Sequence, residues 1–237
     1  AFVCIGLMLG AGVLSSGKAA AYPIDAYAET GIRRLEFNRL GQLGKIRNAR
    51  QIPTGGKLPL SAIKLGLVSG DAAASDLPAA DASLSQLLSC LVPAKEREKY
   101  GIALLDYSDP NNPVYAELNA DFQLNIGSVG KMVIGLSIFQ VLADIYPDSV
   151  EDRKRVLKES KVVANVYSQY DHHKIPIYYP DTGRFSQRAM REGDSGSLWE
   201  FLDWMYSASA NSAASMVIQQ AMLLDEYREA YPPSLAE

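Results

Sequence analysis

From residue 132 to residue 146 the chain is almost wholly apolar, and Pro147 ends the run. A helix apolar on nearly all its sides is a core helix, so the rest of the fold must be organised around it. Of the 237 residues, 48% are hydrophobic and 21% charged, which is ordinary for a soluble globular protein and leaves enough apolar material for a sizeable core. That length suits one large domain or two small ones.

The elements on either side can be read from periodicity and caps. Leu84, Leu87, Leu88, Leu91 and Val92 form one helical stripe, with Ser83 in a capping position. Tyr100-Gly101-Ile102-Ala103-Leu104-Leu105-Asp106-Tyr107 predicts a buried strand. Asp109-Pro110-Asn111-Asn112-Pro113 is built of turn-forming residues, and Val114-Tyr115-Ala116-Glu117-Leu118-Asn119 predicts the return strand of a hairpin. Beyond Pro147, Ser149-Val150-Glu151-Asp152 opens a second helix with a capping-box-like pattern. Residues 165–196, rich in Tyr, Pro, Gly and Asp, predict a long excursion. Ser197-Leu198-Trp199-Glu200 is a capping box, followed by the apolar face of Leu198, Phe201, Leu202 and Met205. A break at Ser207-Ala208-Ser209-Ala210 precedes a last helix from Asn211 to about Leu224.

The N-terminal part carries a different pattern. Residues 1–14 are apolar but too few to span a bilayer comfortably, and Ala19-Ala20-Ala21 follows. This matches a signal-peptide core with a small-residue cleavage site, so 1–21 is expected to be a signal peptide and the mature chain to begin near Tyr22. Residues 22–82 are expected to be an irregular region with a short helical stretch at 32–40 and an Ala/Ser/Asp/Gly-rich linker from 69. Removing Cys4 with the signal leaves Cys90 alone, so no internal disulfide is available. The net charge of −4 supplies no basic footprint for nucleic acid. The run Glu151-Asp152-Arg153-Lys154-Arg155 is a solvated helix face.

Chemistry is concentrated in two short motifs. Ser128-Val129-Gly130-Lys131 is S-x-x-K at the start of the apolar helix, where positions three apart share a face. A serine hydroxyl is a weak nucleophile until a base takes its proton, and a lysine in a dry pocket can serve as that base. The helix start adds unpaired N–H groups and a positive dipole end, which favour charge developing on an attacked carbonyl oxygen. A second S-x-x-K, Ser61-Ala62-Ile63-Lys64, lies among prolines and is read as coincidence. The other motif, Ser209-Ala210-Asn211, is S-x-N and falls 81 residues after Ser128, at a junction of two helices.

S-x-x-K followed by S-x-N resembles the serine β-lactamase and penicillin-binding-protein superfamily, most closely class A β-lactamases, over about residues 84–224. The resemblance implies a mixed α/β (α+β) β-lactamase/transpeptidase-like fold, an antiparallel sheet flanked by helices plus a helical subdomain. Residues 83–237 would be its N-terminal part. It implies a serine hydrolase that acts on β-lactams through an acyl-enzyme. Catalytic residues would be Ser128, Lys131 and Ser209, with Asn211 binding the substrate amide. The substrate would be a small-molecule β-lactam or a peptidoglycan-like peptide. The alternatives are a cell-wall D,D-peptidase or esterase of the same fold, and a non-catalytic binding protein that retains the pocket. No cofactor, metal ion, nucleic acid or lasting membrane span is expected, and the location would be periplasmic or secreted.

The chain departs from the family pattern in three places. Ala210 stands where the family has Asp. No K-T-G or K-S-G follows Asn211; Thr54-Gly55-Gly56-Lys57 and Asp181-Thr182-Gly183 precede it in the wrong order. Glu226 and Glu229 lack the surroundings of the deacylating glutamate, so the chain is expected to be truncated and inactive alone. His172 and His173, the only histidines, are chain neighbours expected to point in different directions, which makes them surface loop residues rather than joint metal ligands. A Ser-His-Asp triad lacks its G-x-S-x-G elbow, and a phosphate loop would need Gly at Asn125 and Ser or Thr at Met132.

Overall fold

The computed structural model describes residues 25–46, 59–62, 77–109 and 111–233. The expected signal peptide, Cys4, the Thr54–Lys57 motif, Lys64 and most of the linker lie outside the described residues. In chain order the elements are α1 (Ala26–Thr30), α2 (Arg33–Gln42), α3 (Ala82–Leu91), β1 (Ile102–Asp106), β2 (Val114–Leu118), α4 (Lys131–Ile145) and α5 (Val150–Glu159). Then follow β3 (Lys161–Val163), β4 (Lys174–Tyr179), β5 (Arg184–Ala189), β6 (Ser195–Ser197), α6 (Leu198–Ser207) and α7 (Asn211–Tyr227). The class is mixed α/β, and the strands form three separate antiparallel pairs, β1–β2, β3–β6 and β4–β5. The described residues fall into two units, one of 77–109 and 111–127, the other of 25–46, 59–62 and 128–233.

In the first unit the expected hairpin is present, with Leu104 opposite Ala116 and Asn112 N–H donating to Asp109 O at 3.1 Å across the turn. The strand expected to be buried is not: Leu105 is 44% exposed, and burial alternates along β1. A two-stranded ribbon covered on one face by α3 shields only every second residue. The cap of α3 is Asp81 rather than Ser83, because the Asp81 carboxylate accepts from Leu84 N–H at 2.7 Å.

The second unit holds the main core. Ile138 and Leu142 of α4, Leu157 of α5, Ile175 and Ile177 of β4, Phe201, Trp204 and Met205 of α6, and Met216 and Val217 of α7 are all buried together. Trp204 buries its ring without stranding its indole N–H, which donates to Pro176 O at 2.9 Å. Ser149 and Ser197 cap α5 and α6 as expected, accepting from Asp152 N–H and Glu200 N–H at 3.1 Å each. The Glu200 carboxylate does not close the capping box. It accepts from Arg33 N–H and Arg33 Nε instead, tying α2 to α6, and Arg34 pairs with Asp203 beside it. The helical stretch expected at 32–40 is α2, and the region expected to be otherwise irregular also contains α1.

Two further expectations are corrected here. The excursion at 165–196 contains β4, β5 and β6. Ile175 and Ile177 point inward from β4, and Gly183 takes a left-handed φ of 66° in the turn that returns the chain. Meanwhile α4 is apolar all round but covered on one side only. Lys131, Gly135, Ile138, Leu142 and Ile145 form its buried stripe, while Met132, Val133 and Leu136 are each more than 60% exposed. By length and composition the stretch Gly127–Ile145 would suffice to cross a membrane. The stripe that is buried is the one that meets α6 and α7.

Candidate active site

A 3-10 turn, Gly127–Gly130, leads into α4. It begins at Gly127 with φ of 53°, a conformation that glycine takes without strain. In a 3-10 turn, side chains three residues apart eclipse one another. Ser128 and Lys131 therefore meet, and Lys131 Nζ donates to Ser128 Oγ at 3.0 Å. Lys131 is the first residue of α4 and is buried, while Ser128 is exposed.

The other half of the site comes from the junction of α6 and α7. Ser209 there has φ of 54°, and Ala210 is fully buried with its N–H bonded to Trp204 O at 3.2 Å. This bend turns Ser209 towards the start of α4. Ser209 Oγ donates to Ser128 Oγ at 2.9 Å, and Lys131 Nζ lies 3.4 Å from Ser209 Oγ and 2.7 Å from Asn211 Oδ1. All four residues expected at the site are thus brought together. Tyr206, three residues before Ser209, lies over Gly135, one turn into α4: a Cβ there would sit 1.6 Å from its hydroxyl oxygen, so the ring would have to move.

Lys131 as an ammonium has three donors, and the three acceptors around it match that number. Once it has given up a proton, the same 3.0 Å contact lets Ser128 donate to Nζ, which is the geometry of a base beside its nucleophile. Ser209, bonded to both, can pass a proton between the centre and a leaving group. Backbone N–H groups of the turn that leads into α4 are candidate donors for an oxyanion.

One residue of the site escaped the sequence pattern. Asp171, with a side chain only 2% exposed, accepts from Ser212 N–H at 2.8 Å and Ser212 Oγ at 2.9 Å, in the first turn of α7. It also accepts from His173 N–H at 3.1 Å and meets His173 Nδ1 at 2.6 Å. Burial pushes the Asp171 carboxyl up, but the donors from Ser212 and His173 together outweigh it and hold it well below the usual carboxylate range. The histidines also differ from expectation. Their rings lie side by side, 4.2 Å between centroids, because Asp171 draws His173 back against its neighbour. Of the two, His172 is exposed and His173 is half-buried. Asp171, His172 and His173 have ligand atoms within 4.8 Å of one another, the one group among the described residues with metal-ligand spacing. Both Asp171 oxygens are already engaged, Oδ2 by Ser212 and Oδ1 by His173, so a cation there would compete with one of these contacts.

The remaining expectations fall away from this centre. Ser61 sits in an exposed 3-10 turn. Glu226 is exposed near the C-terminal end of α7, 15 residues from Asn211, which is about 22 Å along a helix. Thr182 and Gly183 form the turn between β4 and β5. No protein-family model, curated protein or solved structure matches the chain.

Proposed function

We propose that this chain carries the acylating centre of a serine hydrolase that acts on β-lactams or related cell-wall peptides, within a β-lactamase/transpeptidase-like fold. One observation carries the proposal: two motifs 81 residues apart in sequence converge so that Ser128 Oγ, Lys131 Nζ and Ser209 Oγ lie within 3.4 Å of one another. Chance matches to S-x-x-K and S-x-N have no reason to meet. Ser128 attacks the lactam or peptide carbonyl while Lys131 takes its proton; as the carbonyl C–N bond breaks, Ser209 gives its proton to the departing nitrogen and is reprotonated by Lys131, 3.4 Å away. Asn211 holds Lys131 and offers its amide to the substrate. The proposal carries with it a periplasmic or secreted location, where such substrates occur.

Deacylation requires a base that activates water, and Glu226 lies too far along α7 to serve Ser128. The expected product is therefore a long-lived acyl-enzyme. The test is incubation of the chain with a fluorescent penicillin and a chromogenic cephalosporin, followed by intact-mass and peptide mapping. A stoichiometric adduct on Ser128, absent from Ser128→Ala, supports the proposal. Rapid Ser128-dependent hydrolysis would show that a deacylating base exists elsewhere. The absence of any adduct would leave a binding protein that retains the pocket.

A further inference from the structure

We propose that Asp171 is a positioning residue for the Ser128–Lys131–Ser209 centre, acting through the first turn of α7. This rests on the functional reading above for its catalytic meaning, but not for its geometry. The residue between Ser209 and Asn211 is Ala210, which has no side chain able to anchor the turn, and α7 has no side-chain cap of its own. The N–H groups at a helix start need partners. Asp171, 41 residues upstream of Ser212 in sequence, supplies one: a single carboxylate oxygen receives both the N–H and the hydroxyl of Ser212. Its other oxygen is fixed by the backbone and ring of His173, so the carboxylate is a held anchor and not a mobile cap.

Ser212 is covalently next to Asn211, whose Oδ1 receives the buried Lys131 ammonium at 2.7 Å. Fixing Ser212 therefore fixes where Asn211 presents its oxygen, and through it where Lys131 Nζ stands relative to Ser128. A negative charge at this helix start also matches the dipole of α7. Release of the anchor would let the turn drift, and a displacement of an ångström between base and nucleophile is enough to slow a reaction substantially.

The experiment compares the whole chain with Asp171→Ala, Asp171→Asn and, as a control, Val156→Ala, which opens a cavity in α5 away from the centre. Competitive acetylation of Lys131 Nζ, read by peptide mass spectrometry, reports the surroundings of Lys131 whether or not Ser128 acylates. The rate of penicillin adduct formation on Ser128 is the second readout. In Asp171→Ala, Lys131 labelling is expected to rise about threefold as Asn211 lets go of the amine, and acylation to fall by about tenfold or more. Asp171→Asn keeps an acceptor for Ser212 and should recover most of both. Val156→Ala should lose melting temperature yet leave both readouts as in the unmodified chain. Unchanged Lys131 labelling in Asp171→Ala, or the same change in Val156→Ala, would overturn the proposal. If Asp171→Ala does not fold, Asp171→Asn and Ser212→Ala decide it, since each is expected to raise Lys131 labelling by a smaller step. An unmodified chain that never acylates refutes the functional reading, while the labelling still decides the role of Asp171.

Discussion

Lys131 Nζ stands 2.7 Å from Asn211 Oδ1, the shortest of its three contacts, although 80 positions of chain separate the two residues. The other two acceptors are the hydroxyls of Ser128 and Ser209. The amide oxygen is thus the one acceptor of the three that carries no proton of its own.

Asn211→Ala leaves the buried Lys131 with two hydroxyl partners in place of three acceptors. A hydrogen bond to a charged group contributes roughly 1.5–3 kcal/mol, so urea unfolding should show a loss of that order. Asn211→Asp should act in the opposite sense on the fold and against the chemistry. A carboxylate beside Lys131 favours the ammonium, which cannot accept the Ser128 proton. The expected pairing is a higher unfolding midpoint with slower acylation at neutral pH. Faster acylation in Asn211→Asp would show that Lys131 is not the base.

Lys131→Met separates catalysis from folding by another route. Methionine fills a similar volume without a charge to bury, and the acceptors it leaves on Ser128 and Asn211 belong to exposed residues that water can reach. Loss of a positioned base typically costs ~10²–10⁴ in rate. Acylation of Ser128 should fall by that factor while thermal unfolding stays close to that of the unmodified protein. A variant that unfolds but, when folded, acylates normally would assign Lys131 a structural role.

Gly135→Leu tests the approach of the two halves. Any Cβ at this position meets the Tyr206 ring, whose Cζ would lie 2.6 Å away. Since Tyr206 is three residues before Ser209, pushing it off α4 should draw Ser209 from Ser128 and slow acylation by about tenfold. Combining Gly135→Leu with Tyr206→Ala should restore part of the rate, because the obstructing ring is gone. Equal rates in the single and double variants would mean that the loop carrying Ser209 is held independently of Tyr206.

The legible parts of this site were those written in short local patterns. S-x-x-K brings Ser128 and Lys131 together through one turn, and a serine before acidic residues announced the starts of α5 and α6. Ser209 and Asn211 were found because their motif is local, although their meeting with Lys131 is not. Asp171 had no such signal: its partner Ser212 is 41 residues away, and nothing beside Asp171 suggests a cap for a helix so distant. Pro176 and the surrounding tyrosines hid the alternation of Ile175 and Ile177 that makes β4. In α4, apolar composition announced a helix but could not say which stripe would find partners, since that depends on where α6 and α7 lie. Glu200 illustrates the same limit, for its capping-box position was evident and its capture by Arg33 was not.

Acid unfolding gives the last test, and its sign follows from Asp171. The folded state holds this carboxyl well below its ordinary value, with burial opposing and the Ser212 and His173 donors prevailing. The unfolded chain, with a carboxyl near the ordinary value of about 3.9, then binds more protons than the folded chain as acid is added. The stabilisation from Asp171 is therefore fully present above about pH 5 and shrinks as the pH falls through and below the ordinary carboxylate value. Asp194, also lowered because Arg188 and the Arg191 backbone outweigh its burial, adds a second contribution of the same sign. Urea midpoints of the unmodified chain should drop steeply from about pH 5 to pH 3, whereas those of Asp171→Asn start lower and fall less steeply. Part of the residual slope in the variant comes from Asp194 and should diminish again in Asp171→Asn combined with Asp194→Asn, while the surface carboxyls of Glu29, Asp106 and Asp152, which are also lowered, keep the rest. Parallel curves for the unmodified chain and Asp171→Asn would mean that Asp171 is no better bonded in the folded protein than in water, and the anchor at the start of α7 would have to be abandoned.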